Sequence, residues 1–307
     1  MIKVILDTDI GDDIDDAVAL ALAMKIREIE LCGVVTTYRN SRMRAKIAMA
    51  LLDGWNRKDI PVYCGLDDPI KEPYHNFKFE KFDENGKPII GHYEEYMRDY
   101  IPAEGSGVHF IAEQAKKYPH EIVLVAIGPL TDVAEFVQKY PQEFSLLKEI
   151  VIMGGRFDGM GAEWNIKCDP EAAKIVFESG ASIRLVPLDV TLQCVLSEEE
   201  LERFHSAQSG GNRRLGKMIS VWMKNIKYKS NPILHDPLAL ASTVFDFCEF
   251  EPKKVRIGTE GAERGVTIED ECGKEVLVAT TVRSKQFTEF VSDMVCGAQK
   301  EAKCLER

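Results

Sequence analysis

The sequence predicts an α/β fold: an open, mostly parallel, twisted sheet flanked by helices, with a small late β-meander. Three observations predict it. Short apolar runs alternate with stretches of helical character ten or more residues long, which is the signature of βαβ units. The central runs end in glycine-containing turns that lead into helical sequence. No linker, repeat or low-complexity tract divides the 307 residues, so a single domain over 1–307 is expected, with an inserted loop region at about 65–103.

The elements follow in order. Residues 2–6 (IKVIL) read as a buried strand. Residues 17–26 (AVALALAMKI) have the length and alanine-leucine content of a helix packed on a sheet. A second strand at 30–36, a helix at 41–52 and a short strand at 61–64 come next. The runs at 122–127 (IVLVAI), 150–153 (IVIM) and 182–186 (SIRLV) continue the sheet. After residue 190 the order changes. Helices are predicted at 197–205 and 213–227, and meander strands at 253–258, 265–269 and 276–281. A closing helix covers 284–299, with Ser284 as its N-cap. Residues 65–103 form a long irregular stretch rich in Tyr, Phe, His and Pro. A loop of that length in a compact domain points to function.

Composition excludes several classes. A chain that is 45% hydrophobic and 29% charged is not a disordered one. A net charge of −11 disfavours general binding to nucleic acid or to an anionic membrane. No apolar run approaches the roughly 18 residues that span a bilayer, and no signal-like segment precedes the first strand. The eight cysteines form no C-x-x-C pair and lack zinc-ligand spacing, as suits a reducing compartment. The expectation is a soluble, cytoplasmic protein.

The acidic residues are concentrated. Residues 7–16 (DTDIGDDIDD) hold six aspartates and no base. Asp15 or Asp16 can serve a helix start, but six neighbouring carboxylates repel one another, and packed carboxylates call for a cation. An EF-hand fails, because counting from Asp7 places Gly11 at position five and Val18 at twelve. A phosphatase of the haloacid dehalogenase type also carries D-x-D after strand one, but it expects a small hydroxyl residue where Gly-Asp-Asp follows here. The third reading is a hard-cation site bracketed by Asp9 and Asp16, with Asp15 activating water. It lies where parallel sheets place their sites, at the carboxyl end of a strand.

Five ordered motifs extend this reading. They are Asp7-x-Asp9-x-Gly11 with Asp15-Asp16-Ala17; Gly128-Pro129-Leu130-Thr131-Asp132; Met153-Gly154-Gly155 with Glu163-Trp164-Asn165; His235-Asp236-Pro237-Leu238; and Thr259-Glu260-Gly261 with Arg264-Gly265. Together they make the chain resemble the inosine-uridine preferring nucleoside hydrolases over almost its whole length. The resemblance implies hydrolysis of the N-glycosidic bond of ribonucleosides to ribose and free base, with inosine/uridine-type or broad specificity. It implies a bound Ca²⁺ held by Asp9, Asp16, Asp236 and the backbone carbonyl of Ile127, with Asp15 as the general base on water. It assigns Asn40, Met153, Glu163 and Asn165 to the ribose and His235 to the leaving base as general acid. It also implies a homodimer or homotetramer.

Each residue has a plainer alternative. Asn40 also reads as a helix N-cap, Glu163 and Asn165 as a surface loop, and His235 as a structural histidine. The family pattern is interrupted by two extra residues between Gly11 and the paired aspartates, so Asp13 competes with Asp15 for the role of base. No His-Gly pair stands in the base-covering region. Tyr74, His75, His92, Tyr93, Trp222 and Tyr228 are the candidates to stack on a base. A homologue that binds calcium or ribosides without turnover is the alternative function.

Overall fold

Val4 and Leu6 of the first strand pack into one core while Ile5 packs into a second, and all three are fully buried. The same two-sided burial recurs at Val123 and Val125 against Ile122 and Leu124. Strands buried on both faces need helices on both faces, and that is the observed arrangement. The structure, a computed structural model, describes residues 1–71, 81–208, 210–225 and 231–297.

In chain order the first half contains β1 (Ile2–Thr8), α1 (Asp15–Ala23), β2 (Ile29–Thr36), α2 (Ser41–Gly54), β3 (Val62–Cys64), α3 (Gly107–Lys117), β4 (Ile122–Ala126), α4 (Thr131–Lys139), α5 (Pro141–Phe144) and β5 (Glu149–Met153). There follow α6 (Trp164–Cys168), α7 (Pro170–Glu178), β6 (Ile183–Val186), α8 (Leu188–Thr191), α9 (Glu198–Ser206), α10 (Gly210–Asn225), α11 (His235–Ala241), β7 (Cys248–Ile257), β8 (Thr267–Glu269), β9 (Lys274–Val282) and α12 (Ser284–Cys296). The sheet order is β3-β2-β1-β4-β5-β6-β9-β7-β8. The first seven positions in that order pair in parallel, and β7 pairs antiparallel with both β9 and β8. The expected meander is therefore no separate layer: β9 extends the main sheet beside β6.

Helices α1, α2 and α9 to α12 cover one face, and α3 to α7 cover the other. Every residue of α1 is buried, because α2, α10, α11 and α12 surround it. An alanine-leucine sequence is what such an all-round apolar helix requires. Several boundaries differ from the sequence expectation, among them two at helix starts. Helix α1 starts at Asp15 rather than 17, so both aspartates lie in its first turn. Ser284 is the first helical residue of α12, and Arg283 occupies the cap position without a side-chain cap. No helix among the described residues is long and apolar enough to cross a membrane.

Candidate active site

The strand order reverses at β1, with β2 on one side and β4 on the other. Parallel sheets open a crevice at such a switch point. A cavity of about 470 Å³ lies there, within the range of small-molecule sites. The acidic loop after β1, Ile127 after β4 and Met153 at the end of β5 all line it, together with Glu163, Asn165, His235 and Asp236.

Asp15, Asp16 and Asp236 each offer a carboxylate oxygen, and these atoms lie within 4.8 Å of one another. All three residues are buried. Thr8 Oγ1 donates to Asp16 Oδ1, and the Asp236 amide donates to Asp15 Oδ2 at 3.2 Å. Burial first, and then the neighbouring carboxylates, push all three well above the usual carboxylate range. Asp9 lines the same cavity but stands outside the tight trio. Burial, opposed by Arg44, moves Asp9 up to about 6. The resemblance groups Asp9, Asp16, Asp236 and the Ile127 carbonyl; in the structure Asp15 stands with Asp16 and Asp236 because it shares the first turn of α1 with Asp16. Buried like charges at this spacing fit a hard divalent cation, and an all-oxygen donor set suits Ca²⁺ or Mg²⁺ rather than a thiophilic metal.

The opposite wall is built from α6. Glu163 caps this helix: its Oε1 accepts from Asn165 N at 2.9 Å, and its Oε2 accepts from Gly155 N at 3.0 Å and Ile166 N at 3.1 Å. A carboxylate has about four acceptor positions, so about one remains for a ligand. Burial outweighs these bonds and raises its pKa to about 7. Asn165 Nδ2 donates to the carbonyls of Ile127 (2.9 Å) and Met153 (3.2 Å). This engages the Ile127 carbonyl and leaves Asn165 Oδ1 as an acceptor.

His235 opens α11, and its Nδ1 lies 2.6 Å from Thr191 Oγ1. That hydroxyl in turn donates to Leu188 O at 3.2 Å, so the arrangement favours Nδ1–H as donor and leaves Nε2 as acceptor. Burial pushes the imidazole down to about 4. The ring is neutral at pH 7, so a role as general acid requires a proton to be loaded onto it first.

The two extra residues of the acidic loop have separate tasks. Asp12 accepts from Arg44 Nη2 at 2.7 Å and lies 3.8 Å from Arg39. Burial opposes its ionisation, but Arg44, Arg39 and the Gly91 amide outweigh it and hold the carboxyl below the usual range. Arg44 is fully buried; its remaining nitrogens donate to the carbonyls of Tyr38 (2.9 Å), Ile10 (3.1 Å) and Asp9. Asp12 is thus the counter-ion of a buried arginine that holds the backbone of the loop. Asp13 lines the cavity on the Asp15 side. Burial raises its pKa, against the amide of Ile14 and the Trp222 indole. Gly11, just before these residues, has φ +125°, and a Cβ there would stand 2.4 Å from Ile90 Cγ2.

Several expected contacts are absent from the cavity wall. Asn40 is the N-cap of α2, accepting from Met43 N at 3.1 Å; its Nδ2 donates to Asp83 (2.9 Å) and Pro88 O (3.1 Å). Both of its amide hydrogens are engaged, and it is not among the residues that line the cavity. His92 is buried, and its backbone N–H donates to Gly11 O at 2.9 Å. It fastens the inserted segment onto the acidic loop and does not face the cavity. Tyr93 and Trp222 are half-buried against the core. Tyr74, His75 and Tyr228 lie outside the described residues. Asp7, the first aspartate of the D-x-D pattern in the phosphatase alternative, is buried with no solvent exposure. Trp164, Arg39 and Leu188 do line the cavity and were not singled out in the sequence.

The family model described as inosine-uridine preferring nucleoside hydrolase matches residues 4–289. Uridine nucleosidase 1 of Arabidopsis thaliana is 31% identical over 88% of this chain and 82% of its own length. The non-specific ribonucleoside hydrolase RihC of Escherichia coli is 31% identical over 97% of this chain and 99% of its own. Among solved structures, a plant nucleoside hydrolase (the PpNRh1 enzyme) superposes with a TM-score of 0.83 at 26% identity, covering 97% of this chain and 99% of that one. A purine-preferring ribonucleoside hydrolase from Gardnerella vaginalis gives 0.80 at 29% identity, with coverage of 96% and 98%.

Proposed function

The chain belongs to the inosine-uridine preferring nucleoside hydrolase family, and from that premise we propose that it cleaves ribonucleosides to ribose and free base with Ca²⁺ in the acidic cavity. The observation that carries this reading is the buried trio of Asp15, Asp16 and Asp236 in one cavity with Glu163, Asn165 and His235. Asp9, Asp16, Asp236 and the Ile127 carbonyl would hold the ion. When bound, such an ion offsets the carboxylate charge and makes water more acidic.

The chain's own residues supply the rest. Asp15, fixed by the Asp236 amide, takes a proton from the attacking water. The water oxygen bonds to C1′, and the C1′–N bond breaks with its electron pair going to the base. The sugar passes through an oxocarbenium-like state, which surrounding carboxylates favour. Asn165 Oδ1 and the remaining acceptor site on Glu163 receive sugar hydroxyls, while Met153 packs against the ring. His235 faces the leaving base; a proton delivered through it must first reach Nε2.

The relatives named above are described as uridine-cleaving, non-specific and purine-preferring, so base preference is this chain's own property. The reading includes inosine/uridine-type or broad specificity, a cytoplasmic location and a homodimer or homotetramer. A reducing-sugar assay on inosine, uridine, cytidine and adenosine with added Ca²⁺ tests it. Ribose release from at least one is expected; release from none, with calcium bound, overturns the reading.

A further inference from the structure

Seven carboxylates line the cavity (six aspartates and Glu163), and Arg39 is the one cation among the described lining residues. Its presence there is built into the backbone. Tyr38 and Arg39 both adopt left-handed conformations, with φ of +75° and +64°. Such values cost on the order of 1–3 kcal/mol for a non-glycine residue. The turn is held by Tyr38 N to Leu66 O at 2.7 Å and Arg39 N to Asp67 O at 2.5 Å. The side chain is 11% exposed. Its guanidinium stands 4.5 Å from the Tyr38 ring and 5.9 Å from the Trp164 ring. Arg39 Nη2 donates to Tyr38 Oη at 3.2 Å, and Asp12 lies 3.8 Å from Nη1.

The topology places this group relative to a ligand. Arg39 follows β2, on one side of the β1/β4 crevice. Leu188 and Thr191 follow β6, on the far side, and Thr191 holds His235 there. The acidic trio lies between them. Strands are spaced by about 4.8 Å, so the β2 and β6 ends are roughly 19 Å apart. In a ribonucleoside, the base at C1′ and the exocyclic C5′ at C4′ leave the furanose on opposite sides of the ring oxygen. A base directed to His235 lays C5′ toward Arg39.

We propose that Arg39 is a specificity-determining residue that hydrogen-bonds the C5′ oxygen of the nucleoside. This rests on the hydrolase reading above. The charge balance selects a neutral hydroxyl over a phosphate: Asp12 already faces Arg39, and the other lining carboxylates repel a dianion. The planar guanidinium, stacked and largely removed from water, is preorganised for such a bond.

The test compares kcat/KM for the best ribonucleoside, its 5′-deoxy analogue and its 5′-monophosphate. It uses the wild-type chain, Arg39→Gly and Arg39→Lys. Glycine suits φ +64° and removes only the side chain. The wild type should favour the 5′-hydroxyl over the 5′-deoxy substrate by about 10- to 100-fold, the range of a charge-assisted hydrogen bond. In Arg39→Gly that ratio should approach one, through loss on the parent nucleoside alone, and Arg39→Lys should restore part of it. Equal losses on both substrates would show a merely structural role and overturn the assignment. Preference of the wild type for the monophosphate would overturn it as well. Absence of turnover on every parent nucleoside removes the hydrolase reading and this inference with it.

Discussion

Replacing Arg44 by leucine should destabilise the protein and loosen the acidic loop. The guanidinium is fully buried and makes bonds to the carbonyls of Tyr38, Asp9 and Ile10 and to Asp12 Oδ2. Removing one partner of a buried ion pair costs about 3–5 kcal/mol. Asp12 is 44% exposed, so water recovers part of the lost solvation, and the lower half of that range applies to the pair. The three carbonyls left without donors add about 1 kcal/mol or more each where water cannot reach them. Together these place the loss at about 6–7 kcal/mol. An unfolding entropy of about 2.1 cal/mol/K per residue gives roughly 0.6 kcal/mol/K for this chain, hence a Tm lower by about 9–11 °C. Thermal denaturation followed by circular dichroism measures the shift, and calorimetric titration with Ca²⁺ reads the loop. Arg44→Lys should recover less than half, since one ammonium cannot reach both Tyr38 O and Asp12. A leucine variant within about 1 kcal/mol of wild type would refute the role of Arg44 as the anchor of the loop.

Two further outcomes follow from the same geometry. Burial, with a contribution from Asp132, pushes Asp7 well above its usual range, and burial raises Asp132 to about 7. Both folded values exceed the unfolded ones, so this pair's stabilisation is present at low pH and lost as pH rises through about 7. Asp132→Asn removes one of the two titrations; in chelator its stability relative to wild type should rise between about pH 4 and pH 8, by on the order of 1–3 kcal/mol. A stability difference that does not change with pH would contradict the raised titration of Asp132. His235→Ala should slow cleavage of natural nucleosides by about 10²–10⁴-fold but scarcely affect a p-nitrophenyl riboside, whose leaving group needs no proton. Equal losses on both substrates, measured as kcat, would assign His235 to binding.

The strands were legible because β1, β4 and β5 are apolar runs buried on both faces, a pattern that local sequence carries. Strand β7 was foreseen only from 253, because its start (CEFEP) mixes polar residues with a proline and its pairing with β9 is long-range. In the site, the aspartates announced themselves by density, and the motifs located Glu163, Asn165, Asp236 and His235. The basic residues did not. Arg44 reads as a solvated helix charge until it is set beside Ile47, Ala48 and Leu51, which share the buried stripe of α2; that spacing is the signal that could have found it. Arg39 depends on two consecutive left-handed residues, which nothing in Thr-Tyr-Arg-Asn specifies. Asn40 shows the reverse case: its residue type suits both a cap and a sugar contact, and the bond from Met43 N makes it the cap of α2.

Ribose release at saturating Ca²⁺ by Asp15→Asn and Asp13→Asn, each with its calcium affinity, bears most directly on the proposed chemistry. The account predicts that Asp15→Asn loses about 10²–10⁴-fold in kcat while calcium still binds, and that Asp13→Asn retains most of the activity. Loss in Asp13→Asn with activity kept in Asp15→Asn would contradict it.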